Sequence, residues 1–181
     1  ALINFLVLLG WNPGTEQEIF SKEELIQLFS LDKIVKSGAR FDYNKAKWFN
    51  SNYLQKENVE IILDHINAIF VKHEIKAGAD QVNTIYQLYK DRAVLLNDFF
   101  NMGKYIVVEP SDPDEEFKSK KWKKEWADSF ISLANAFVEI KEWNHVNLEE
   151  KIKEFMIMHQ LKMGEVLPSI RVMLSGTPMG P

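Results

Sequence analysis

Apolar residues recur at spacings of three and four along most of this chain, which is the period of one face of an α-helix. The clearest stretch spans about residues 58–73, with apolar positions at Val59, Ile62, Leu63, Ile66, Ile69 and Phe70. No segment of useful length alternates between apolar and polar residues, as a half-buried strand would. The pattern therefore predicts an all-α fold, with helices at about 58–73, 81–102, 119–140, 148–162 and 165–175.

Capping and turn residues divide this helical pattern. Ser21 and Glu24 have the spacing of a capping box, and Asp42 has the position of a helix N-cap. Gly38 predicts a turn, and Gly176 predicts the end of the last helix because glycine readily adopts the left-handed C-cap conformation. A Pro-rich connector, VVEPSDPDEE, separates two helical units. We expect three segments, 1–57, 58–104 and 105–181.

The composition is that of an ordinary globular protein, with 46% hydrophobic residues among 181. No stretch approaches the roughly 18 apolar residues that a membrane-spanning helix needs. The apolar start lacks the charged region and cleavage site of a signal peptide, and the chain has no cysteine. These features predict a cytoplasmic protein that has no membrane partner.

The sequence offers no set of residues for catalysis or metal binding. Gly-rich phosphate-binding loops are absent, and the four histidines (65, 73, 145 and 159) never have the i, i+4 spacing of a helical metal site. We therefore expect a binding protein without a metal or cofactor of its own. A helical protein–protein interaction module with no RNA role is one such protein.

Two features could instead serve an RNA ligand. The net charge of −4 does not exclude a local basic face, and KSKKWKK at 118–124 is a strongly basic run. Arg92 and Arg171 each lie beside apolar residues, and Arg171 precedes a stiff loop, GTPMGP. Such arginines either pair with neighbours and extend to solvent, or line a pocket for unstacked bases.

The tryptophan stripe of 119–140 has core spacing, so we expect it to be buried.

Four segments carry a resemblance to a known family. ALINFLVLLGW, KSGARFDYNKAKWFNSNY, YKDRAVLLNDFF and GEVLPSIRVMLSGTPMGP resemble, in this order, the C-terminal half of bacterial-type glutamyl-tRNA synthetases. The resemblance implies a helical cage of two anticodon-binding subdomains, preceded by the end of a class I stem-contact domain. The resemblance also implies that the parent enzyme is a ligase, which attaches glutamate to tRNA(Glu) with ATP and Mg²⁺. HIGH-like and KMSKS-like signatures do not occur, so the resemblance implies a fragment without the catalytic domain, inactive by itself.

The resemblance also assigns residues. Arg92 falls on the position that reads the third anticodon base, while other anticodon contacts fall on Arg171, Thr177, Gly180 and Pro181. Contacts to the tRNA backbone are expected from Lys36, Arg40, Lys120, Lys121 and Lys124. Family members continue past the Gly-Pro with a final helix, so we expect a chain truncated at its C-terminus. The partner would be tRNA(Glu), bound by a monomer. Glutaminyl enzymes use β-barrels for the anticodon, which this sequence does not resemble.

Overall fold

A computed structural model of the protein describes residues 1–36, 38–111 and 114–180, and these residues form ten α-helices. The same residues contain three short 3₁₀ turns and an isolated β-bridge between Trp11 and Ile34, and no strand. The all-α prediction is thus confirmed for the described part of the chain. The helices are α1 (Leu2–Gly10), α2 (Lys22–Leu28), α3 (Tyr43–Leu54), α4 (Val59–Lys72), α5 (Ala79–Tyr89), α6 (Leu96–Gly103), α7 (Glu115–Lys120), α8 (Ala127–Val138), α9 (His145–His159) and α10 (Met163–Ser175).

The chain divides into two compact units, 1–107 and 108–181. In the first unit, the larger core lies between α4, α5 and α6, whose apolar faces contribute Ile66, Phe70, Ile85 and Phe99. Each of these side chains is at most 1% exposed. A smaller core near the start of the chain contains Trp11, Phe20 and Leu25. Burial of these faces supplies the main stabilisation of the short helices, because isolated helices of this length are marginal in water.

The second unit has its own core on α8, α9 and α10. The predicted tryptophan stripe contributes Trp126, Phe130 and Leu133 to it, and they pack with Phe155 and Val166. Each of these five residues is buried. The expectation that the stripe forms core rather than a stacking platform for bases is therefore confirmed for these three positions.

Two long helices of the sequence prediction are wrong. The segment 81–102 is two helices, because the chain turns between Tyr89 and Leu96 and α6 begins anew there. The segment 119–140 is also interrupted, since α7 ends at Lys120 and Lys123 has extended backbone angles before α8 begins. In both segments the helical spacing of apolar residues continues across the break, so the spacing alone could not reveal where the helix is interrupted.

The predicted caps are mostly confirmed. Ser21 and Glu24 form a complete capping box on α2, and the Asp42 side chain accepts from Asn44 N at 2.8 Å. The start of α9 differs from the predicted 148: the Asn144 side chain accepts from Asn147 N at 2.9 Å and caps the helix, which begins three residues earlier, at His145.

Gly103 allows α5 and α6 to approach closely. A Cβ atom at this position would lie 2.5 Å from Cγ2 and 2.9 Å from Cγ1 of Ile85, which is itself fully buried. We therefore expect Gly103→Ala to lower the free energy of unfolding by about 1–3 kcal/mol through overpacking. Thermal or denaturant unfolding measures this change.

Gly10→Ala is the control, because a Cβ atom there has no neighbour within 4 Å. Equal stability of the Gly103→Ala and Gly10→Ala proteins would contradict the close approach of the two helices.

Candidate functional site

Arg92 lies in the turn that separates α5 from α6, and its side chain is exposed. The turn starts with two main-chain hydrogen bonds to the carbonyl of Tyr89. Arg92 N donates to Tyr89 O at 3.0 Å, and Ala93 N donates to the same oxygen at 2.8 Å. Ala93 is only 1% exposed, so the turn is anchored in the core directly after Arg92.

Two polar side chains hold the second half of this turn. Asp98 Oδ2 accepts from Val94 N at 2.9 Å and from Leu95 N at 2.8 Å, which satisfies amide groups at the start of α6. On the other side, Asn50 Nδ2 of α3 donates to Val94 O. Neither Asn50 nor Asp98 was predicted as a site residue. The spacing of Asp98 from Leu95 is that of a capping box, which is the signal that could have identified it.

The residue before the turn is a buried tyrosine. The Tyr89 hydroxyl donates to the Tyr105 hydroxyl at 3.3 Å. Burial raises the pKa of Tyr89 above its ordinary value, the bond to Tyr105 raises it further, and the positive charge of Arg92 opposes the rise. The Tyr89 side chain is therefore a neutral group that anchors the turn to the core, while Arg92 supplies positive charge at its exposed side.

Arg171 lies on the exposed side of α10, and the loop after this helix returns to it. Gly176 ends α10 with a φ of +78°, as the sequence predicts. Within the loop, Ser175 Oγ donates to Arg171 O at 2.8 Å, and Thr177 Oγ1 donates to Met179 O at 3.1 Å. A Cβ atom on Gly180 would lie 3.0 Å from Arg171 Nε. The structure thus places Gly180 directly against the Arg171 guanidinium, in the loop that contains Thr177. Pro181, also predicted here, lies outside the described residues.

The basic run begins on α7, which is joined to the same loop. Asp114 N donates to Gly176 O at 2.8 Å, and the Asp114 side chain caps α7. The predicted residues Lys120, Lys121 and Lys124 are all exposed. Lys120 also forms an ion pair with Glu116 at 2.8 Å, but an exposed pair of this kind stabilises the protein little and leaves the lysine accessible.

Lys36 and Arg40 are exposed residues on either side of position 37, which lies outside the described residues. The segment before them is fixed by a hydrogen bond from Val35 N to Gly10 O at 2.8 Å, and the segment after them enters α3 at its Asp42 cap. Both cations therefore lie on a connection between two anchored points of the first unit.

The described part of the chain has no group of three or more histidine, aspartate or glutamate side chains placed to hold a metal ion. None of its helices combines the length and apolar character that crossing a membrane requires. The exposed groups at the predicted positions are arginines, lysines and a threonine hydroxyl. Such groups bind anionic or hydrogen-bonding ligands.

Comparison with known proteins identifies the family. A family model described as an anticodon binding domain matches residues 46–181, which is most of the chain. The chain belongs to this family. The anticodon-binding domain therefore includes both arginine sites and the basic run.

Relatives of the domain are ligases of greater length. A glutamate–tRNA ligase of Amoebophilus asiaticus is 35% identical over 181 residues, which are all of this chain and 35% of that protein. A glutamate–tRNA ligase of Flavobacterium psychrophilum is 37% identical over 180 residues, which are 36% of its length. The chain thus spans little more than a third of these relatives, and it is homologous to their C-terminal anticodon-binding region.

A solved structure supports the same relationship. The crystal structure of a glutamate tRNA ligase from Elizabethkingia meningosepticum, in complex with its amino acid, matches with a TM-score of 0.80 and 33% identity. The match covers 99% of this chain and 36% of that one. The anticodon-binding domain therefore has the helical fold that the resemblance implied.

The loop beside Arg171 depends on the left-handed conformation of Gly176. We expect Gly176→Ala to lower the free energy of unfolding of the domain by about 1–2 kcal/mol, because a side chain strains this conformation. Thermal unfolding measures the change. Gly164→Ala, in the same helix and without a neighbour within 4 Å of its Cβ atom, is the control and should not destabilise the protein. Equal melting temperatures for the two variants would show that the left-handed conformation of Gly176 does not stabilise the domain.

Proposed function

We propose that this chain recognises the anticodon of tRNA(Glu) as the C-terminal part of a glutamate–tRNA ligase. The observation that carries the proposal is the pair of supported arginines, Arg92 and Arg171, within a domain of the anticodon-binding family. Each arginine is exposed on an anchored element, as recognition of an unstacked base requires.

In this proposal Arg92 reads the third anticodon base, which is C in glutamate tRNAs and G in the corresponding glutamine tRNAs. Along its pairing edge, unpaired cytosine presents two acceptors, N3 and O2, whereas guanine presents two donors, N1–H and N2–H₂. Arginine has only donors, held in a rigid fork. Arg92 can therefore bind cytosine with two hydrogen bonds, but it meets guanine with donor facing donor.

Arg171 and its loop contact the other anticodon bases in this proposal. Gly180 lies against the guanidinium, where a side chain would be crowded, and Thr177 offers a hydroxyl in the same loop. Pro181 follows Gly180 in the sequence and belongs to the proposed set through the resemblance. The tRNA backbone is contacted by exposed cations, namely Lys36, Arg40, Lys120, Lys121 and Lys124.

The proposal extends to the organisation of the whole chain and of its parent enzyme. We assign 1–57 to the end of a stem-contact region, and 58–104 and 105–181 to two anticodon-binding subdomains. Activation of glutamate with ATP and Mg²⁺ is assigned to the remaining part of such a ligase. The parent enzyme is then a cytoplasmic monomer with tRNA(Glu) as its partner. Relatives named as glutamate–tRNA ligases support the assignment to an enzyme of this kind.

A protein–protein interaction module is the second candidate function, and one observation favours it. A cavity of about 310 Å³ in the second unit has almost wholly apolar walls, formed by residues of α8, α9 and α10 and by Trp143 in the connection before α9. Leu174 and Trp143 at this cavity are 64% and 66% exposed. Binding to a partner through such a surface would depend little on salt, which separates it from binding to RNA.

The first test concerns Arg92. In a full-length ligase that contains this chain, we expect Arg92→Gln to reduce the preference for tRNA(Glu) over tRNA(Gln) by roughly 5- to 150-fold. This range corresponds to the discrimination of about 1–3 kcal/mol that a bidentate base contact provides. Glutamine can both donate and accept hydrogen bonds, so it tolerates either base. Charging efficiency on both tRNAs, for wild type and variant, measures the preference.

Lys90→Gln is the control for Arg92→Gln, since Lys90 is the neighbouring cation at the start of the turn. An unchanged preference in the Arg92→Gln enzyme would show that Arg92 does not discriminate between the two bases.

The second test concerns the basic run. Replacing Lys120, Lys121 and Lys124 by glutamine should weaken tRNA binding and flatten the slope of log affinity against log salt by about 2, since each single-strand phosphate contact contributes about 0.7. Binding is measured by titration with tRNA(Glu) at several salt concentrations. The same replacements at Lys141, Lys151 and Lys153 change the net charge equally and serve as the control. Equal slopes in the two triple variants would show that the run contributes only general charge.

A further inference from the structure

The turn that contains Arg92 is held at its carbonyl and amide groups by residues from two different helices. Asp98 of α6 binds the amides of Val94 and Leu95, and Asn50 of α3 binds the carbonyl of Val94. With the bonds from Arg92 N and Ala93 N to Tyr89 O, the main chain is fixed on both sides of the arginine. A turn with this many main-chain partners has few alternative positions.

The helix that supplies Asn50 is itself fixed on several sides. The neighbouring Phe49 is fully buried and packs against Phe5 of α1, with ring centroids 5.7 Å apart. Tyr53, one turn further along, donates its hydroxyl toward Asn4 Oδ1 at 2.8 Å. Leu54 enters the core of α4, α5 and α6. Asn50 therefore extends from a rigid support to the Arg92 turn.

We propose that Asn50 and Asp98 are positioning residues for anticodon specificity, which rests on the proposed role of Arg92. A bidentate contact needs its donors within roughly 0.5 Å and 10–20° of the productive geometry. Without Asn50 or Asp98, the Val94 main chain loses a partner and the turn can shift, so that Arg92 keeps its charge but loses its alignment. Attraction to RNA then remains, while discrimination between cytosine and guanine falls.

The experiment uses the 181-residue chain and two anticodon stem–loop RNAs that differ only at the third anticodon base, C or G. The ratio of the two dissociation constants measures discrimination. We expect Asn50→Ala and Asp98→Ala each to lower this ratio by about five-fold or more, the lower end of what a bidentate base contact provides. Affinity for a stem–loop with an unrelated anticodon should change little, because no cation is removed.

Two matched variants distinguish positioning from general damage. Asn52 lies on the same helix, but its side chain donates to Trp48 O of that helix at 2.9 Å, so Asn52→Ala should leave the ratio unchanged. Asp98→Asn retains a side-chain oxygen that can accept from Val94 N and Leu95 N, so it should restore most of the ratio lost in Asp98→Ala. Thermal unfolding of every variant establishes that it is folded.

A double-variant cycle tests whether the effect passes through Arg92. In an Arg92→Gln chain, adding Asn50→Ala should lower the ratio no further, since there is no aligned arginine left to displace. A further fall would overturn the proposal, as would an unchanged ratio in a folded Asn50→Ala chain. If Asn50→Ala does not fold, the comparison of Asp98→Ala with Asp98→Asn decides, and equal ratios for these two overturn the proposal.

An unchanged ratio in Arg92→Gln alone would instead refute the proposed role of Arg92, and the positioning role with it.

Discussion

The first unit depends on the reversal of the chain between Tyr89 and Leu96. A continuous helix over 81–102 would be about 33 Å long, and its two halves could not both face Phe70. Only a turn allows Ile85 on α5 and Phe99 on α6 to share one core. The turn exposes main-chain groups that need partners, and the structure supplies them from α3, α5 and α6. The exposed position of Arg92 is thus a by-product of core formation.

In the second unit, a main-chain hydrogen bond supplements the apolar core. The bond from Asp114 N to Gly176 O connects the beginning of α7 to the end of α10. Lys123 adds a second connection, since its ammonium lies 3.6 Å from Glu165 and 4.8 Å from the centre of the Trp126 ring. Lys120 and Lys123 of the basic run therefore both have acidic partners within the protein, although both side chains remain exposed to solvent. The number of lysines in the sequence therefore overstates the positive charge that the basic run has available for an anionic ligand.

The sequence predicted those features that depend on local chemistry. The caps at Ser21 and Asp42 and the glycine stop at 176 follow from hydrogen bonding and φ angles within a few residues, and the structure confirms them. The breaks after Tyr89 and Lys120 could not be predicted, because the apolar period continues across them and tertiary packing decides the outcome. Asn50 shows the same limit for the site, since its partner Val94 lies 44 residues away.

The supports of the Arg92 turn engage the main chain, and this has a consequence for how such a domain can evolve. Tyr89, Asp98 and Asn50 bond to backbone atoms of residues 92–95, and backbone atoms are the same whatever side chain stands at position 92. The shape of the turn and the identity of the residue at position 92 can therefore be inherited separately. Under the proposed role of Arg92, a lineage could widen or narrow its choice of RNA by a single codon change, without rebuilding the scaffold that presents the new side chain.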